Sequence, residues 1–189
     1  MITFKKKEII YRPYEIVLRT AVNVVMIICV TYLIMVTFFQ NTTVSGHSMN
    51  NTLKANDKVL INSMAYSFHA PQRYDIIVFK DKKSGSSNYY VKRIVGLPGE
   101  TVQIKNGSIY IDGKKLESTI FSTEIYNAGI VAEPLKLEYN EYFVLGDNVN
   151  NSDDSRFSNI GIVNSDLIVG KLWLVVKPLK NFGFIKYKQ

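Results

Sequence analysis

At 189 residues the chain is sized for one domain with at most a small appended lobe. The net charge is +7, and taking Lys5, Lys6, Lys7, Arg12, Arg19, Glu8 and Glu15 from the totals of 23 basic and 16 acidic residues leaves only 18 and 14 for the rest. That mild excess suits an anionic membrane surface, but without an interleaved aromatic–basic stripe it gives no support to nucleic-acid binding. The single cysteine, Cys29, excludes an internal disulfide and a cysteine metal site.

The first predicted element is a membrane helix over 21–39, following a basic segment over 1–20. The run AVNVVMIICVTYLIMVTFF carries no charge. As a helix it spans ~28 Å, about the thickness of the hydrocarbon core. A cleavable secretory signal would end in a small-x-small site, whereas this run ends in Phe38-Phe39-Gln40-Asn41. A buried soluble helix would show a polar face, and this one has almost none. Basic residues precede the run and the next one is Lys54, so the positive-inside rule puts the N-terminus in the cytoplasm and 40–189 outside.

Beyond the anchor, short β-type runs alternate with turn signals. Lys58–Ile61, Asp75–Lys80, Tyr89–Val95, Thr101–Lys105, Ser108–Asp112, Tyr142–Leu145 and Ile168–Val176 read as strands. Asn106-Gly107 and Asp112-Gly113 are hairpin-turn pairs. A polar, flexible stretch follows Lys80, and 117–140 is less regular, a small lobe or a long excursion. The expected body is mostly β, barrel-like or an open sheet.

Three clusters hold groups with chemistry. Ser45-Gly46-His47-Ser48-Met49 offers a hydroxyl shortly after the anchor, within ~30 Å of the membrane exit. Alone it reads as a turn. A serine needs an adjacent base to act as a nucleophile. In an extended segment His47 points away from its neighbour Ser48, and His69 sits in the loop FHAPQ with no orienting carboxylate. A lysine serves if burial keeps it neutral. Lys92 lies in the apolar strand YYVKRIV, on a face with Tyr90 and Ile94, although pattern alone also fits an edge lysine facing solvent. The third cluster, LGDNVNNSDDSRF over 145–157, is a polar loop after an apolar strand; it lacks the glycine and glutamate of an EF-hand loop.

Together and in this order, behind one anchor, these segments resemble the type I signal peptidases. SGHSMNNTL is similar to that family's nucleophile box S-G-x-S-M-x-P-T-L. NDKVLINSMAY, RYDIIVFK with YYVKRIVGLPGETV, and LGDNVNNSDDSRF resemble the boxes that follow. The resemblance implies a membrane-bound serine endopeptidase acting on signal-peptide-bearing preproteins, without cofactor or metal, like the compact Gram-positive members. It implies Ser48 as nucleophile and Lys92 as general base. Ser152 aligns with the serine that orients the lysine, and Asp154 and Arg156 with a supporting ion pair. Asp147 and Asn148 fall in the same box. Gly46 and Met49 flank the nucleophile, whose own N–H contributes to the oxyanion hole; Gly46 leaves no side-chain donor there. Two departures stand out: Asn51 replaces the usual proline, which is expected to loosen the turn, and Val149 replaces a common arginine. They fit a specialised paralogue. The alternative is a non-catalytic, membrane-anchored assembly factor for surface or pilus-type proteins, but that reading expects loss of the serine or the lysine.

Overall fold

The computed structural model describes residues 13–81 and 89–185. Lys5, Lys6, Lys7 and Arg12 of the basic segment, and 82–88 of the polar stretch, lie outside the described residues.

Helix α1 runs from Pro13 to Phe38, long and apolar enough to cross a membrane. It starts earlier than the uncharged run at Ala21. Charge marks where a helix can enter lipid, but backbone hydrogen bonding continues through polar turns holding Glu15 and Arg19. Proline is tolerated in the first turn, where its missing N–H has no intrahelical role. Phe39, expected to end the helix, instead opens the first strand and stacks on Trp173 at 5.1 Å between ring centroids.

Residues 39–189 form a separate compact unit. Its strands are β1 (Phe39–Thr43), β2 (Lys58–Asn62), β3 (Ile76–Lys80), β4 (Tyr89–Gly96), β5 (Thr101–Lys105), β6 (Ser108–Ile111), β7 (Lys114–Lys115), β8 (Leu135–Lys136), β9 (Glu141–Leu145), β10 (Val163–Asn164), β11 (Ile168–Lys177) and β12 (Gly183–Phe184). The unit is mostly β, as the alternation of apolar runs and turns implies. The larger sheet has the order β1-β2-β11-β3-β4-β9-β10, with β12 added to β11. The smaller has the order β7-β6-β5-β8. The strand pairs in both are antiparallel.

Central β3 is covered on both faces, so its sequence is a continuous apolar run rather than an alternation. Ile76 and Val78 pack with Met49, Leu53, Val59 and Leu172, while Ile77 and Phe79 pack with Ile94, Val144 and Tyr142. In the smaller sheet Asn106 and Gly107 both adopt positive φ, 50° and 68°, the geometry a two-residue hairpin needs. The irregular segment 117–140 folds over this sheet: Ile125, Val131 and Leu137 join Val102, Ile104 and Ile109 in one apolar cluster.

Candidate active site

The turn that carries Ser48 is built around a buried anchor. Met49 is 2 % exposed and Leu53 1 % exposed, both in the core beneath the large sheet. The amides of Thr52 and Leu53 donate to the Met49 carbonyl at 2.8 and 2.7 Å, and Asn50 N–H donates to His47 O at 3.1 Å. Gly46, at φ +81°, sets the entry to the turn. The side chain of Ser48 is thereby held half-buried, just above the core. Its backbone N–H donates to no acceptor among the described residues.

Lys92 reaches this turn from β4. Its Nζ lies 2.7 Å from Ser48 Oγ. The lysine is 4 % exposed, so the solvent-facing alternative for this residue is overturned: β4 is covered on both faces from Lys92 onward. Burial pushes the amine below its ordinary range. Asp154, Asp153 and Asp147 oppose this with less effect than burial, and the positive charge of Arg156 adds the smallest push, downward. No carboxylate forms an ion pair with Lys92 among the described residues. A buried amine hydrogen-bonded to a hydroxyl and lacking a contact counter-ion is suited to take that hydroxyl's proton. Neither imidazole competes. His47 Nδ1 lies 3.3 Å from Asn50 Nδ2, and His69 packs edge-on against Tyr66.

The polar loop after β9 closes over both residues. Gly146 permits this closure: a Cβ there would lie 2.6 Å from Ser48 O and would collide with Ser152 Oγ. Asn148 N–H donates to Ser48 O at 2.9 Å, and Asn148 Nδ2 to His47 O at 3.3 Å. Ser152 lines the same cleft as Ser48 and Lys92, but its hydroxyl hydrogen-bonds the Asp153 carbonyl at 3.4 Å rather than Lys92. Asp154 and Arg156 form a buried pair through two hydrogen bonds, 2.8 and 2.9 Å. Arg156 also donates to Asn127 O at 3.0 Å, to Val149 O and to Ser152 O at 3.4 Å, which ties the loop to the segment over the smaller sheet.

Sequence reasoning missed two residues. Arg93, 1 % exposed, grips Asp147 with two bonds of 2.7 Å and also donates to Tyr74 O. Thr52 joins this pair through its hydroxyl. A signal existed for Arg93: a guanidinium in an apolar strand needs a carboxylate, and Gly-Asp-Asn supplies one. Asn51, where a proline was expected, brings a contact of its own: its Nδ2 donates to Asp147 O at 2.9 Å. Val149 is 3 % exposed and packs in the core of the smaller sheet, an apolar place for an apolar residue.

Two openings meet at Ser48 and Lys92. A pocket of about 80 Å³ lies between 42–45 and 89–92, and a wider cleft of about 480 Å³ runs past Gly46, Tyr90, Ser152 and Phe157. β4 pairs with β3 from Tyr89 onward but with β9 only from Arg93. Its opening residues therefore keep one edge without a strand partner among the described residues, next to the pocket.

The family profile described as signal peptidase, peptidase S26, matches residues 17–177. The chain is 34 % identical over 183 residues to signal peptidase I U of Bacillus subtilis (strain 168), covering 94 % of this chain and 93 % of that one. It is 37 % identical over 147 residues to signal peptidase I of Leptolyngbya laminosa, covering 74 % and 70 %. A crystal structure of a signal peptidase I from Enterococcus faecalis V583 aligns at TM-score 0.44 with 30 % identity, over 55 % of this chain and 97 % of that one. A family match over most of the chain, with a 34 % identical relative aligned over nearly the full length of both, leads to one conclusion: this chain belongs to the signal peptidase family, peptidase S26, the serine endopeptidases that remove signal peptides.

Proposed function

We propose that this peptidase cleaves signal peptides from exported preproteins at the outer face of the plasma membrane, with Ser48 as nucleophile and Lys92 as general base. The observation that carries the reading is the 2.7 Å contact between Lys92 Nζ and Ser48 Oγ inside a buried setting that disfavours the ammonium. Neutral Lys92 takes the proton as Ser48 Oγ attacks the scissile carbonyl. The unpaired Ser48 N–H stabilises the oxyanion, worth ~3 kcal/mol for one such donor. The Lys92 ammonium then protonates the departing amine. Lys92 next deprotonates a water that attacks the ester, and it returns that proton to Ser48 Oγ as the acyl bond breaks, which restores the free hydroxyl and the neutral amine. Both half-reactions close with these two side chains, so no cofactor or metal is required.

Ser152 orients the amine when substrate fills the cleft, and Asp154 with Arg156 holds the Ser152 backbone. Asp147 and Asn148 hold the nucleophile turn. The substrate lies extended along the open edge of β4, and the 80 Å³ pocket accepts a side chain no larger than a few carbons, as in Ala-x-Ala. α1 is the single-pass anchor in the lipid bilayer. The charge asymmetry of its flanks supports a cytoplasmic segment over 1–20, a span over 21–39 and an external catalytic unit over 40–189.

The test is to incubate the detergent-solubilised protein with a panel of preproteins. Ser48→Ala and Lys92→Ala should each abolish cleavage while circular dichroism and melting stay those of a folded protein. Processing by either variant at the parent's rate overturns the assignment.

A further inference from the structure

We infer that Asn51 is a positioning residue for the nucleophile, acting through a single peptide unit that clasps the turn from both ends. The unit is the peptide joining Asp147 to Asn148. Its N–H donates to Ser48 O at 2.9 Å, and its C=O accepts from Asn51 Nδ2 at 2.9 Å. The N–H and C=O of a trans peptide point in opposite directions in one plane. Two partners on opposite sides therefore fix that plane against rotation. The Asp147 side chain adds a third point, held by Arg93 and Thr52. With the Asn51 donor gone, one side of the plane is free, and the constraint on Ser48 O weakens at the residue that must present Oγ to Lys92.

The residue type suits the task. A proline here would stiffen the turn through its ring but donate nothing. An asparagine leaves the backbone free and supplies an amide that reaches across to the loop. Asn51 is exposed and touches neither Ser48 Oγ nor Lys92 Nζ, so its effect is on geometry and not on the proton. A displacement well under 1 Å at a reacting atom is enough to lower the rate about tenfold.

This inference rests on Ser48 being the nucleophile, and the experiment separates the two. Asn51→Ala and Asn51→Asp are compared with the full-length parent and Ser48→Ala on a preprotein substrate. The Asp variant keeps the shape but turns an acceptor toward the Asp147 carbonyl. Both are expected to lower kcat about tenfold, Asp more than Ala, with KM and the pH of the kcat limb unchanged and melting within a few degrees of the parent. Cleavage by Ser48→Ala would overturn the nucleophile assignment itself. If Ser48→Ala is inactive but both Asn51 variants keep kcat within twofold of the parent, only the inference about Asn51 is overturned. A rise in KM at unchanged kcat also overturns it, as does a loss of kcat that only follows loss of folded protein in both variants.

Discussion

Lys92 and Arg93 sit side by side on β4 and face opposite ways, both almost wholly out of solvent. On the Arg93 face a carboxylate is in contact: Asp147 meets the guanidinium with two bonds of 2.7 Å, and Tyr74 O and Thr52 take up further donors. On the Lys92 face the contact is a serine hydroxyl, and three carboxylates act only from a distance. A guanidinium stays charged in any protein setting, so its face must be neutralised by a partner. An amine can lose its proton, so on a face without a contact anion burial favours the neutral form, which can accept a proton. Burial is common to both residues; the partner decides which is held as a cation and which is pushed toward the neutral amine.

The strongest way to break this comparison is to remove the titrating group. Lys92→Met keeps length and apolar bulk, and it should lower kcat by about 10²–10⁴-fold, the range for a lost general base. It should also melt higher than the parent near neutral pH, because the buried amine is gone. The gap has a defined pH dependence. Lys92 is depressed in the folded state, so as pH rises through its folded pKa toward 10.5 the unfolded chain binds more protons than the folded one. The parent gains stability in that window and the gap to the Met variant narrows. A gap that stays flat across the alkaline range, read by thermal melts at a series of pH values, contradicts a depressed lysine.

The Arg93 face should respond in stability first. Asp147→Ala leaves a buried guanidinium without its counter-charge, a loss of about 3–5 kcal/mol. The joint exchange Arg93→Met with Asp147→Leu should recover most of that in denaturant unfolding of the solubilised protein. Recovered stability without recovered kcat would separate holding the fold from holding the Ser48 turn, since Asp147 also receives Thr52. A single variant that unfolds within ~1 kcal/mol of the parent shows that the pair is not desolvated as described.

Much of this was legible in the sequence, and the misses share a cause. The membrane-length run, the Asn106-Gly107 turn and the apolar strands β3, β4 and β11 carry their pattern within a few residues. β1 was missed because FQNTT has no apolar alternation; it is a strand because β2 pairs with it along five positions. β7, β8, β10 and β12 are two residues each, too short to show any period, and exist through pairing. Ser48 and Lys92 came from the family resemblance, since locally each fitted a blander role. The contacts of Arg93 with Asp147 and of Asn51 with Asp147 join positions 54 and 96 apart in sequence, and no local pattern encodes them. Asn51 shows the limit most clearly. Its identity as a departure was visible, but the carbonyl it meets was set by the folded chain.

The finest probe of the comparison is Asp153, exposed at the mouth of the cleft and one of the carboxylates that favour the Lys92 ammonium. Asp153→Asn removes that support and leaves both buried ion pairs in place. The depressed amine should then fall further, and the rising limb of kcat/KM should move to lower pH with little change in its plateau. Salt gives an independent check. An exposed charge is screened within a Debye length of ~8 Å at physiological ionic strength, and buried charges much less. Raising salt should therefore move the parent's limb toward that of Asp153→Asn and leave the variant's nearly in place. If the two limbs coincide at low salt, Asp153 has no hold on Lys92. The tuning of Lys92 would then lie wholly with burial and the remaining charges, chiefly Asp154 and then Asp147.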